Sequence, residues 1–165
     1  MTTKRKANRI FSYQQFRQIT ELTKREADGW VQRGLIRAEL SASGRRRLYT
    51  IESLFYGVIA KSLADFASRE LLETMMHSLR DFFDSEGIEL HKVSPNPAGP
   101  RVLVRIHTQT SKELMPGGGI RGVVTYVSFF DPLSKWVSKA VFVVIDLTLV
   151  AVIVNARIGD LNKDS

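Results

Sequence analysis

Residues 23–49 read TKREADGWVQRGLIRAELSASGRRRLY, and their interpretation decides the fold. Thr23 and Glu26 have the spacing of a capping box, in which the hydroxyl and the carboxylate satisfy each other's free backbone N–H. Ala27, Trp30 and Val31 then recur at i, i+3, i+4 and make one apolar stripe, with Lys24, Arg25, Asp28, Gln32 and Arg33 on the other faces. Gly34 suits the left-handed position that ends a helix, and Leu35-Ile36 returns the chain to the core. Ser41-Ala42-Ser43-Gly44 is a small turn-forming tip followed at once by Arg45, Arg46 and Arg47. The stretch therefore predicts a short helix followed by a basic hairpin. If the arginines lie in an extended strand, Arg45 and Arg47 share one face and Arg46 takes the other. Three arginines beside a glycine are also the pattern of a localisation signal or an unspecific basic patch.

Working outward, Ser12 can cap a helix over SYQQFRQI, with Tyr13, Phe16 and Ile19 near one face and Leu22 filling the turn before Thr23. Thr50 caps a further helix over about residues 51–64, whose Leu54, Phe55, Val58, Ile59 and Leu63 have helical period. The order is helix, turn, helix, Gly34-Leu35-Ile36, basic hairpin, Arg47-Leu48-Tyr49, Thr50-capped helix. Over about residues 11–72 this resembles the MerR family of bacterial regulators, whose DNA-binding part is a winged helix-turn-helix. Arg17, Glu21 and Asp28 depart from the family, which usually has a small residue, Gly and Arg at those places. The resemblance implies that the second helix enters the major groove of DNA and that the hairpin is a wing on the phosphate backbone. It makes Thr23, Lys24, Arg25, Gln32, Arg33, Arg45, Arg46, Arg47 and Tyr49 the candidate DNA-binding residues. Arg can pair with guanine and Gln with adenine, but exposed charges on any helix look alike. Tyr49 reads either as a core aromatic at the base of the wing or as a phenol bonded to a phosphate.

The chain has 165 residues, 44% of them hydrophobic, enough to bury a core. Its net charge of +7 is unevenly placed: residues 1–60 hold 12 Lys+Arg against 5 Asp+Glu, and residues 61–165 hold 12 against 12. The whole excess falls on the expected DNA-binding part, as in a protein that displaces counterions from phosphates. Cysteine is absent, which excludes disulfides, thiolate-held metals and thiol redox chemistry. The resembling family's metal and redox sensors use cysteine, so that branch is not expected. The N-terminus lacks the apolar stretch of a signal peptide. His77, His91 and His107 fall in different elements, no catalytic motif is present, and neither a cofactor nor enzymatic activity is expected.

Residues 1–10 are expected to form a flexible basic arm. Ser68 opens a helix over SRELLETMMHSLRDFFDSEG, with a wide face of Leu, Met and Phe that serves core, subunit contact or ligand pocket, and Gly87 ends it. The proline-rich residues 94–100 form a linker. Beyond it a strand is expected at 102–107, a loop at Met115–Gly122, a second strand at Val123–Phe130 and an amphipathic helix along Leu133, Trp136, Val137 and Ala140. The run AVFVVIDLTLVAVIVNA, residues 140–156, is too short and too β-branched for a membrane span and is expected as one bent strand or two strands meeting near Asp146, buried on both faces. Residues 159–165 are expected as a polar tail.

The expected fold class is α+β: a mostly helical winged helix-turn-helix unit at 11–87, then a small α+β unit at 88–165 with an antiparallel or mixed sheet. The expected function is sequence-specific regulation of transcription in a bacterium or phage. The protein would be cytoplasmic and nucleoid-associated, a homodimer on double-stranded DNA with no membrane. The second unit would dimerise or receive a small-molecule or protein effector. Two alternatives stay open: an architectural DNA-binding protein resembling excisionases, and a winged-helix adaptor that binds protein.

Overall fold

Five helices each start at a side chain that accepts a hydrogen bond from a backbone N–H three residues on. The acceptors are Ser12, Thr23, Thr50, Ser68 and Asp146. Such a bond satisfies one of the donors that every helix N-terminus leaves free. The computed structural model describes residues 9–99, 102–111, 122–129 and 142–163. In chain order they form β1 (Ile10–Ser12), α1 (Tyr13–Thr20), α2 (Lys24–Gln32), β2 (Glu39–Leu40), β3 (Arg47–Thr50), α3 (Ile51–Ala64), α4 (Arg69–Ser85), a 3-10 turn (Leu90–Lys92), β4 (Leu103–Ser111), β5 (Gly122–Phe129), β6 (Phe142–Asp146) and α5 (Leu147–Leu161). The fold is α+β, with two small antiparallel sheets among the described residues, ordered β1-β3-β2 and β5-β4-β6.

The first sheet contains a strand, Ile10–Ser12, that was not expected and that overlaps the expected flexible arm at Ile10. Ile10–Ser12 pairs with Leu48–Thr50, Phe11 opposite Tyr49. Of the rest of that expected arm, Arg9 donates to Asn162 Oδ1 at 2.8 Å, and residues 1–8 lie outside the described residues. Glu21 between α1 and α2 has φ +57°, so the turn does use the left-handed backbone that glycine takes most easily. Gly34, at φ +71°, ends the α2 segment.

The largest correction concerns the apolar run at 140–156. Its first part is β6, but from Leu147 the chain is helical to Leu161, so neither a second strand nor a tail from residue 159 is present. The Asp146 carboxylate accepts from Leu149 N–H at 3.1 Å and starts the helix. Packing then overrides the weak helix preference of Val, Ile and Thr. Leu147, Val150, Ala151, Val154 and Ile158 are buried, and α5 lies against α1 and α3. Arg157 fastens it there, donating to the Ile19 carbonyl at 2.7 Å and pairing with Glu21 at 2.8 Å. Nor is β6 buried on both faces: it is an edge of the described sheet, and Val144 is exposed.

Buried residues on both sides of residue 88 form one apolar cluster, from Phe11 and Phe16 through Leu54, Met76 and Phe83 to Val104 and Ile158. α1 approaches α3 at Gly57, where a Cβ would come within 2.5 Å of Thr20 Cγ2. The Met and Phe face of α4 is part of this core, with Leu72, Met75, Met76, Leu79 and Phe83 buried. The expected loop at Met115–Gly122 (apart from Gly122, which opens β5) and the expected helix along Leu133–Ala140 lie outside the described residues.

Candidate functional site

The capping box of α2 is present in both directions: Thr23 Oγ1 accepts from Glu26 N–H at 3.2 Å, and Glu26 Oε2 accepts from Thr23 N–H at 2.8 Å. Glu26 also takes the Lys61 ammonium at 2.8 Å. Burial acts to raise its pKa, but the hydrogen bonds from Lys61 and Thr23 outweigh it and hold the carboxyl below the usual range. Thr23 is thus occupied in starting the helix, and Lys24 becomes the first helical residue, exposed at its end.

The hairpin tip is built from its own serines and a glycine. Ser41 N–H donates to the Arg46 carbonyl at 2.8 Å, Gly44 N–H to the Ser41 carbonyl at 2.7 Å, and Arg46 N–H to Ser41 Oγ at 3.1 Å. Gly44 has φ +67°. This tight turn holds Arg45 and Arg46 outside the ladder, which begins only at Arg47. The alternation of three arginines along one strand therefore does not occur. Arg45 and Arg46 are exposed at the tip instead.

Lys24, Arg45, Arg46 and Arg47 nevertheless meet. They line one open groove between the start of α1, the start of α2 and the hairpin, with Tyr13, Gln14 and Asp28. Arg47 is partly committed there, donating from Nη1 to Asp28 Oδ1 at 2.9 Å, with roughly a third of each side chain exposed. Asp28 is thus a counter-charge inside a cationic groove. The Tyr13 hydroxyl lies 3.5 Å from the Lys24 carbonyl, and its pKa is raised by burial first and by Asp28 second.

The other candidates lie elsewhere. Arg25, Gln32 and Arg33 line a separate concave surface between α2 and the α3–α4 corner, beside Trp30, Ala64 and Leu72. Arg33 is tied down: Nε donates to the Gly29 carbonyl at 3.0 Å and Nη1 to Glu73 at 2.7 Å. The Arg33 hydrogen bond is the main reason Glu73 stays below the ordinary carboxylate range. Tyr49 is fully buried, stacked on Phe16 at 4.0 Å between ring centroids, so the reading of its phenol as a phosphate ligand falls. Burial pushes its pKa up, against the pull of nearby Arg47, and its hydroxyl has no hydrogen-bond partner among the described residues.

Tyr13 and Gln14 were missed as groove residues because their place depends on the hairpin folding back across α1. The ion pairs were missed because Arg47–Asp28 spans 19 positions and Arg33–Glu73 spans 40, beyond any local spacing rule. Among the described residues no group of three or more His, Asp or Glu is placed to hold a metal ion. No helix among them is long and apolar enough to cross a membrane. No protein-family model matches this chain, and no curated protein matches it either.

Proposed function

We propose that β1 to α4 form a winged helix-turn-helix similar to that of the MerR regulators, and that its basic groove binds double-stranded DNA to regulate transcription. The observation that carries this reading is the convergence of Lys24 with Arg45, Arg46 and Arg47, some 20 residues later, on one concave surface. Four cations from two segments, with no equal number of acids between them, make a region of positive potential. Such a surface gains affinity by releasing counterions from phosphates. The charge excess in residues 1–60 supports the same reading. Second copies are part of the proposal: apolar Phe66, Val144 and Leu149 are exposed near the edge strand β6. A bacterial or phage regulator of this kind would sit with the nucleoid, and no catalytic step is part of the reading.

One observation favours a second reading. Of the four helix residues expected at the major groove, Arg25, Gln32 and Arg33 are apart from the groove, and Arg33 is bound to Glu73. A duplex held mainly through phosphates suits an architectural protein, as in the resemblance to excisionases. The ratio of affinities for a selected site and for random duplex separates the two, being large for a regulator and near one for an architectural protein.

The test of both is binding of labelled duplex as a function of salt. Replacing Arg45 and Arg46 together by Ala is expected to weaken binding on every sequence and to lower the slope of log K against log salt by about 1.8, at about 0.9 per phosphate contact. An unchanged slope removes the hairpin from the interface. No affinity for any duplex at low salt leaves the adaptor reading instead.

A further inference from the structure

Helical spacing decides which face of α2 lines the basic groove. Lys24 and Asp28, four residues apart, stand one above the other and both line it, while Arg25, Gln32 and Arg33 line the other concave surface. From α2 itself the groove therefore offers a duplex one ammonium and one carboxylate. Arg47 belongs to β3, but its Nη1 is 2.9 Å from Asp28 Oδ1, which brings the guanidinium onto the surface of α2. The ion pair is in effect one unit of that helix face. Both side chains remain about a third exposed, at 38% for Arg47 and 35% for Asp28, so the pair can be reached from the groove.

Both partners have capacity left. The bond to Asp28 uses one of the five guanidinium N–H groups and holds a long side chain in one orientation, and an ionised carboxylate accepts at more than one place. Charge decides what such a pair suits. A phosphate approaching Arg47 meets the Asp28 charge in the same place, so the pair is a poor anion site. The major-groove edge of a G·C pair is neutral and carries both complements: guanine O6 and N7 accept, and the cytosine N4 amino group donates. A guanidinium can give two donors to the first, and a carboxylate can accept from the second. Lys24, Arg45 and Arg46 line the same groove without an ion pair among the described residues and are the cations left for phosphates.

We propose that Arg47, held by Asp28, reads a guanine from the major groove, with the Asp28 carboxylate orienting the guanidinium and facing a cytosine amino group beside it. This rests on the double-stranded DNA reading above and gives it a base preference that Gln32 and Arg33 do not supply. Arg47 makes the contact. Asp28 positions it and keeps phosphate away from it.

The test starts from duplexes that the full chain selects out of a random pool at low salt. Each guanine of the selected site is replaced in turn by 7-deazaguanine, which lacks the N7 acceptor but still pairs with cytosine, and binding is followed by fluorescence anisotropy. At one position at least, the replacement is expected to weaken binding about tenfold. Arg47→Lys keeps the charge but not the two-donor fork, and in that variant the loss at this position is expected to shrink toward onefold. Asp28→Asn is expected to shrink it too, while binding to random duplex tightens. Urea melts check that both variants are folded. The proposal is overturned if no replacement weakens binding of the parent chain, or if either folded variant keeps the full loss. In those cases retained affinity for random duplex leaves the DNA reading standing. No affinity for any duplex at low salt overturns that reading and this proposal together.

Discussion

Asp28→Asn tests how the basic groove is held in check. Asp28 accepts the Arg47 guanidinium at 2.9 Å, inside the surface that also carries Lys24, Arg45 and Arg46. A phosphate entering there meets one carboxylate and one arginine already paired. The amide keeps the shape, removes the negative charge and leaves Arg47 available. One more phosphate neutralised steepens the salt slope by about 0.9, so the fourfold rise from 50 to 200 mM salt should cost about 3.5-fold more affinity than in the parent chain. At 50 mM the variant should bind more tightly. The stability change should be small, about 0–1 kcal/mol, because each side chain of the pair is more than a third exposed and water screens it. Fluorescence anisotropy of a labelled duplex across that salt range measures the slope, and a urea melt measures the stability. A slope equal to or shallower than the parent's, in a variant as stable as the parent, refutes the idea that the pair restrains Arg47.

Tyr49→Phe should be neutral to stabilising, by up to about 1–2 kcal/mol, since it removes a buried hydroxyl without a partner and keeps the stack on Phe16. Duplex affinity should not change; a selective loss of affinity would restore the phenol as a phosphate ligand. Arg157→Ala should lower stability by about 1–2 kcal/mol, because the buried Ile19 carbonyl loses its donor and α5 its link to the turn after α1. The check is the urea midpoint at unchanged m; an unchanged midpoint means that apolar packing alone holds the helix. The Glu26 carboxyl sits below its ordinary pKa, so its contribution is fully present above the unfolded value of about 4.3 and is lost as pH falls through the lower folded value. Glu26→Gln should therefore flatten the acid limb of stability below about pH 4.3 relative to the parent, and an identical acid limb in chemical melts would count against the Lys61 and Thr23 bonds as its cause.

The elements legible from sequence were those whose signals are local. Ser12, Thr23, Thr50 and Ser68 begin helices because a side chain three residues from a free N–H reaches it whatever the rest of the chain does. Gly34, Gly44 and Gly87 mark chain reversals because all three have positive φ. The site was legible only in part. The charge count located the basic half, but it could not separate Lys24, which faces the hairpin, from Arg33, which faces Glu73.

Residues alone therefore determined the caps, the turns, the apolar faces of α1 to α4 and the confinement of excess charge to the first sixty positions. Each of these rests on neighbours within about one helical turn. Tertiary contacts decided the rest. Residues 147–156 are apolar on nearly every side, so periodicity cannot distinguish a buried helix from a buried strand. Contact with α1 and α3 selected the helix. Ile10–Ser12 became a strand because β3, some 38 residues later, offered an edge. Asp28 and Glu73 chose which arginines remain free, since an ion pair forms wherever folding brings opposite charges within reach.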